Sequence, residues 1–405
     1  MISVGIDISK GKSMVCILKP GGEVLAAPFD MLHNIESINS LVSLINSYDE
    51  ETRVVLEDTG HYHWPVVTML LEHNIFVSCI NALRMKKFCS QSIRKGKTDK
   101  IDAIKIAQFG ITYWNELKPY MPADEVYENL RLLSRQYYQY VSLLTKSKVN
   151  FSNILDRVMP DISSLLDAQN GKLYDVVERY CHFSNITKMG ERRFISDYCK
   201  WAKKKGYHSN ESKAAQIYSL AVNGIPSLPY NQASICVVKE AIKSIRELSR
   251  SRDTILSQMK ELANTLPEYS ILISMHGIGD VLSTRFIADI GDVRRFHSKN
   301  AVVAYAGIDA PPYQSGSFTA STRHISKRGN KYLRKTGFEI MQSFMKQKPT
   351  EDCAVYEYML KKKAEGHPSK YYSVAGLNKF LKIYYARVTE LYKTIDDQLI
   401  FGSNI

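Results

Sequence analysis

Ile2-Ser3-Val4-Gly5-Ile6-Asp7-Ile8-Ser9 opens the chain, and the reading of the fold turns on it. Ile2, Val4, Ile6 and Ile8 alternate with Ser3, Gly5, Asp7 and Ser9, the period of a strand with one face buried. Asp7 stands on the other face, an acid inside an otherwise apolar strand. Gly11 and Lys12 turn the chain into a second strand, Ser13 to Leu18. Pro20-Gly21-Gly22 turns it again into a third, Glu23 to Ala27, which Pro28 is expected to end.

A helical stretch around Ile35 to Ile45 follows, then a strand from Arg53 to Glu57, a helix from Trp64 to Glu72 and a strand from Ile75 to Ile80. This β-β-β-α-β-α-β order is that of a ribonuclease-H-like sheet, in which the fourth strand lies beside the first. Asp7 and Glu57 therefore converge. Asp99 and Asp102 are placed at i and i+3 on a helix, both expected on the side away from Ile101, Ile104 and Ala107. Four clustered acids repel one another unless a cation lies between them. Hard oxygen ligands of this kind suit Mg²⁺ or Mn²⁺, and two ions about 3.5–4 Å apart activate the attacking and leaving oxygens of a phosphodiester. The plain alternative is four unrelated surface acids. It is weakest for Asp7 and strongest for Asp102. Asp58 and Asp289 are similar acids set aside here, the first for its opposite parity to Glu57 and the second for its place in the last domain.

The chain has 405 residues, 44% hydrophobic and 10% aromatic, enough to bury a large core in two or three domains. Fifty-four Lys and Arg against 41 Asp and Glu give a net charge of +13, which favours an anionic partner, nucleic acid first. The seven cysteines are scattered and form no Cys-x-x-Cys pair, pointing to a reducing cytosol. No leader-like start and no membrane-length apolar run is present, so a soluble, cytoplasmic protein without a membrane partner is expected.

From Asp124 the pattern changes. Val126, Leu130, Leu133, Tyr137, Tyr140 and Leu144 recur at helical spacing until Pro160, and Val238, Ile242, Ile245, Leu248, Ile255, Met259 and Leu262 repeat the pattern later. These two segments are expected to pair as an antiparallel coiled coil, within the chain or between chains. The expected domains are 1–118, a coiled-coil region 119–266 with a helical insert 161–232, and a mostly helical 267–405. The insert's Lys203-Lys204-Lys205 run reads as a solvated face. The last domain opens with Met275-His276-Gly277-Ile278-Gly279-Asp280, similar to a helix-hairpin-helix. There Gly277 and Gly279 leave N–H groups free for a DNA phosphate; a plain tight turn is the competing reading.

Gly5-Ile6-Asp7-Ile8-Ser9-Lys10, Leu56-Glu57-Asp58-Thr59-Gly60 and Lys97-Thr98-Asp99-Lys100-Ile101-Asp102-Ala103 resemble the motifs of the DEDD transposases of insertion elements, the bridge-RNA recombinases. Gly277-Ile278-Gly279, Tyr305-Ala306-Gly307, Gln314-Ser315-Gly316 and Lys327-Arg328-Gly329-Asn330 match that family as well. The resemblance implies a RuvC-like nuclease domain joined by a coiled coil to a transposase domain. It implies Asp7, Glu57, Asp99 and Asp102 as metal ligands and Ser315 as the nucleophile that forms a phosphoserine link to DNA. It further implies a homo-oligomer, a tetramer, holding donor and target duplexes and a structured guide RNA. The insert and the tail beyond about residue 350 exceed the compact family pattern, and Ser317, Ser321 and Ser326 stand near Ser315.

A serine hydroxyl is a poor nucleophile without a base or a metal, and no base adjoins Ser315, so activation by the quartet's metal is the coherent chemistry. Nucleic acid is expected to bind through Arg84, Lys86, Lys87, Arg94, Lys95 and Lys97, with Arg323, Lys327, Arg328 and Lys331. Four functions are compatible with these residues: a transposase, a site-specific DNA invertase, a junction-resolving nuclease that needs no serine, and a binding protein without catalysis.

Overall fold

The strand Ile2–Ile8 (β1) forms the centre of a five-stranded sheet in the computed structural model. It pairs antiparallel with β2 (Lys12–Leu18), which pairs antiparallel with β3 (Val24–Leu32). On its other side it pairs parallel with β4 (Thr52–Glu57), and β4 with β5 (Phe76–Ile80), giving the order β3-β2-β1-β4-β5. The fourth strand thus lies beside the first. The structure describes the chain except residues 59–61, 91–97, 123, 168–170, 209, 276, 312–313, 316–317, 320–323 and 403–405; for 314, 315, 318, 319 and 399–402 it describes the backbone alone. It divides into two units, Met1–Pro122 and Ala123–Ile405.

In the first unit, α1 (Ile35–Asn46) and α2 (Trp64–Glu72) cover the sheet face that carries Ile2, Val4, Ile6 and Ile8. The opposite face is covered too, by α3 (Ala82–Cys89) and α4 (Asp99–Thr112). The expectation of one buried face for β1 is therefore corrected: Ser3 is fully buried and Gly5 is buried beside it. Small residues on that face let a helix approach, so polarity there did not mean solvent. Pro28 does not end β3 either. It lies inside the strand, where the register with β2 shifts between Val15 and Ile17, and β3 is a sheet edge, the position at which a missing N–H is tolerated.

The second unit is helical. Asp124 caps α5 (Glu125–Val158), and α11 (Gln232–Ala263) runs back along it. Tyr127, Leu130 and Tyr138 share one core with Met259 and Ala263, while Leu144, Phe151 and Leu155 share another with Val238, Ile242 and Ile245, so the two helices are antiparallel within the chain. Between them α6 (Ile162–Leu165), α7 (Lys172–Tyr180), α8 (Phe183–Met189), α9 (Glu191–Lys204) and α10 (Glu211–Asn223) bury Tyr180, Phe183, Phe194 and Tyr198 in that second core.

The remainder comprises α12 (Pro267–Ser274), α13 (Asp280–Ile290), α14 (Lys299–Ala306), the short strands β6 (Gln314–Ser315) and β7 (Phe318–Thr319), α15 (Lys331–Gln347), α16 (Ala354–Ala364) and α17 (Ser369–Gly402). Phe286, Phe344, Phe380 and Tyr384 form its centre. No helix among the described residues is long and apolar enough to cross a membrane.

Candidate active site

Glycines set how closely α4 packs on the strands that carry Asp7 and Glu57. A Cβ on Gly5 would collide with the backbone nitrogen of Ala107 and the carbonyl oxygen of Ala103, and one on Gly110 with the Ser3 hydroxyl and, at 2.9 Å, with Val55. Helix α4 therefore rests on β1 and β4 with Gly110 over Ser3 and Ala103–Ala107 over Gly5. It runs against the direction of β1. Its first turn thus reaches the end of the strand at which Asp7 stands. Ile6 is in register with Leu56, so Asp7 and Glu57 follow as the next neighbours on the parallel strands, on the same face as Gly5 and Val55. Both are half-buried.

Asp99 and Asp102 lie in the first turn of α4, capped by the Thr98 hydroxyl, which accepts from the Ile101 N–H at 3.2 Å. The buried positions of α4 are Ala103, Ile106, Ala107, Phe109 and Gly110. Asp99 is one turn before Ala103, and Asp102 one turn before Ile106. The two acids therefore share the sheet-facing side, which corrects the expectation that they point away from Ala107. Counting Ile101 and Ile104 as the core face misled, because the contact with the sheet is made by the smallest side chains. Acids in a helix's first turn also favour the helix by themselves.

Cys89 stands at the end of α3. Burial raises its thiol pKa first, and the carboxylates of Asp102, Glu57 and Asp7 raise it further against the pull of Lys105. Asp7, Glu57 and Asp102 thus all lie within electrostatic reach of one sulfur atom. Neither Cys89 nor Lys105 was singled out by sequence reasoning. Lys105 is one turn beyond Asp102, and that spacing is the only signal it offered. Among the described residues no three His, Cys, Asp or Glu side chains stand close enough to hold a metal ion. The four acids have the hard-oxygen chemistry that suits a divalent cation, but in this structure they stand more widely spaced than a bound ion requires.

The acids set aside behave differently. Asp58 is exposed and, after burial, is the second cause that pushes the Cys79 thiol up to about 12. Asp289 is 2% exposed and accepts from the hydroxyls of Ser134 (3.0 Å), Tyr138 (2.9 Å) and Thr336 (2.9 Å), with Arg135 at 3.3 Å. It is a hub of the second unit's core.

Ser315 lies on β6 opposite Phe318 of β7, and its side chain is outside the described residues, as are Ser317 and Ser321. The base of this excursion is closed. The Ser326 N–H donates to the Asp309 carbonyl at 2.8 Å and its hydroxyl to the Asp309 carboxylate at 2.5 Å; Lys327 N–H donates to Gly307 at 3.0 Å and Asn330 N–H to Tyr305 at 2.7 Å. Ser326 is thus committed to a structural bond. A Cβ on Gly329 would strike the Tyr305 carbonyl, so this seam requires glycine. Asn330 caps α15 through the N–H groups of Tyr332 and Leu333, and its amide donates to the Asp289 carbonyl at 2.7 Å.

Of the expected nucleic-acid contacts, Lys86, Lys87, Lys327, Arg328 and Lys331 are exposed, and Lys327 has φ 53°. Arg84 is exposed but paired with Glu116 and laid over Phe109 and Tyr113, at 5.2 and 4.9 Å. Arg94, Lys95, Lys97 and Arg323 lie outside the described residues. Gly277, at φ 96°, packs on Phe344 and its carbonyl accepts from the Ser343 hydroxyl at 2.6 Å. Gly279 precedes α13, whose first turn carries Asp280 in an ion pair with Lys260 at 2.5 Å.

Residues 4–160 match a family model of DEDD transposases of the IS110 type, described as a transposase, and residues 269–356 match the model described as the transposase IS116/IS110/IS902 family. Over 371 residues the chain is 23% identical to the uncharacterized 44.8 kDa protein of insertion element IS116 from Streptomyces clavuligerus, covering 90% of this chain and 89% of the relative. The chain belongs to the DEDD transposase family of insertion elements, enzymes that act on DNA. Similar solved structures include RuvC of T. thermophilus in complex with a Holliday junction substrate, at 12% identity and a TM-score of 0.24, covering 30% of this chain and 99% of that one. Thermus thermophilus RuvC by itself scores 0.23 at the same identity, with 30% and 100% covered.

Proposed function

We propose that this chain is the recombinase that moves an insertion element, cutting and rejoining DNA with Asp7, Glu57, Asp99 and Asp102 and with the hydroxyl of Ser315. The observation that carries the reading is the packing of α4 on the sheet, Gly110 over Ser3 and Ala103–Ala107 over Gly5, which sets the first turn bearing Asp99 and Asp102 at the end of β1 where Asp7 stands beside Glu57. Divalent cations, Mg²⁺ or Mn²⁺, held by the four carboxylates would supply charge neutralisation at the scissile phosphate and ease loss of a proton from the attacking hydroxyl.

The serine oxygen forms a bond to phosphorus as the bond from phosphorus to the leaving DNA oxygen breaks, and the leaving strand takes up the proton. A DNA hydroxyl later attacks the phosphoserine and restores the serine, so the phosphodiester is conserved. Closure of the loop base at Asp309–Ser326 supports this assignment, since it presents Ser315 from a tied excursion. In this reading residues 1–118 carry the carboxylates, 119–266 form a coiled coil, and 267–405 carry the nucleophile and a helix-hairpin-helix at Gly277 and Gly279. Donor and target duplexes, a guide RNA and a tetramer complete the assembly. An invertase would use the same residues on other sites.

The test is a reaction on a nicked suicide substrate in Mg²⁺, resolved on denaturing gels. A protein–DNA adduct mapping to the peptide from Tyr313 to Phe318 is expected, absent in Ser315→Ala. Asp7→Ala and Asp102→Ala should lose adduct and cleavage while still binding DNA. Full cleavage with no adduct would make the chain a metal-dependent nuclease, and near-normal cleavage by Asp7→Ala would remove the quartet.

A further inference from the structure

Helix α9 of the insert buries Phe194, Tyr198 and Ala202 in the core of the second unit. At 3.6 residues per turn its outer side holds Arg192, Arg193, Ser196, Lys200, Lys203 and Lys204 within about 120° of arc. All six are exposed. Five are cations, and no acid interrupts them. Asp197, at the margin of the arc, is taken by Arg179 at 2.8 Å and by the Tyr180 hydroxyl at 2.8 Å, and Lys205 turns to Asp175 at 3.3 Å. Among the described residues none of the five cationic side chains takes part in an ion pair or hydrogen bond.

A face that only needs hydration ordinarily alternates charge at i, i+4, because such pairs stabilise a helix and like pairs destabilise it. Lys200 here faces Lys203 and Lys204 at i+3 and i+4. Lys203 and Lys204 gain from the helix's C-terminal end, but Arg192 and Arg193 stand at its N-terminal end, where a cation is disfavoured. Folding therefore does not account for the row. An external polyanion does. The row is about 18 Å long at 1.5 Å per residue, a span facing about ten charges of a nucleic-acid duplex at one per 1.7 Å. The arc carries no aromatic side chain on which a splayed base would stack, which favours a duplex over a single strand.

We propose that α9 is a docking surface for the phosphate backbone of double-stranded DNA, so that the insert is an auxiliary DNA-binding module. This rests on the chain acting on DNA and not on the roles given to the four acids or Ser315.

The experiment measures affinity of the full-length chain, without divalent metal, for a duplex of about 30 bp against salt. Replacing Arg192, Arg193, Lys200, Lys203 and Lys204 by Gln is expected to weaken binding about tenfold or more near 100 mM salt. It should lower the slope of log affinity against log salt by about two to four, at about 0.9 per lost phosphate contact. A control of equal charge change, Gln at Lys146, Lys148, Lys239, Lys243 and Lys361, should weaken it much less. Helix content and melting midpoint confirm folding, and the pair Lys203→Gln, Lys204→Gln, with an expected slope loss of about one to two, stands in if the fivefold variant does not fold. Asp7→Ala and Ser315→Ala should bind like the parent, which separates this surface from the catalytic assignment. Unchanged affinity, equal loss in the control, or loss confined to a structured RNA would overturn the proposal.

Discussion

Gly5 is the residue on which the geometry of the acids depends. Any side chain there meets the backbone of α4 at Ala103 and Ala107, which cannot move aside as a side-chain tip can. Gly5→Ala is therefore expected to destabilise the protein by about 1–3 kcal/mol or more, as overpacking does. It should also lower cleavage activity beyond the loss of folded protein, because it lifts the turn that carries Asp99 and Asp102. Urea titration together with activity per folded molecule checks both, and a variant as stable and active as the parent would contradict the packing described. Asp289 shows the converse case. As a sequence letter it resembles a ligand, and only its hydroxyl partners and burial show it to be a core hub.

At the scale of elements, α15 begins where the Ser315 excursion ends. Asn330 both caps this helix and ties its start to the Asp289 carbonyl. Asn330→Ala is expected to cost about 1–2 kcal/mol as a lost cap. Because the same amide anchors the closed loop base, faster hydrogen exchange at Ser326 and Lys327 should accompany the loss; unchanged exchange there would argue against a shared anchor. The start of α5 after Asp124 and its end before Pro160 were legible. Thr98, Asp124, Asn231 and Asn330 each cap a helix through a short side chain that satisfies free N–H groups, a local device. The end of β3 was not legible, since whether Pro28 breaks a strand depends on its place at the sheet edge.

For the whole molecule, a net charge of +13 dominates association with a polyanion. Nucleic-acid affinity of the parent is expected to fall about 10³–10⁵-fold between about 50 and 200 mM salt if six to ten phosphates are contacted. A flat response measured by fluorescence anisotropy would show that binding does not run through the basic residues. The sequence by itself determined the strand order, the placement of α1, α2 and α5, the acids Asp7 and Glu57 on adjacent strands, and the family, because periodicity and motif spacing act over a few residues. Only the tertiary structure decided which face of α4 meets the sheet. It also closed the Asp309–Ser326 seam, made Asp289 a core residue, and split the Lys203–Lys205 run between an ion pair and an open surface. These outcomes depend on which distant backbone comes near, and a one-dimensional pattern carries no record of that.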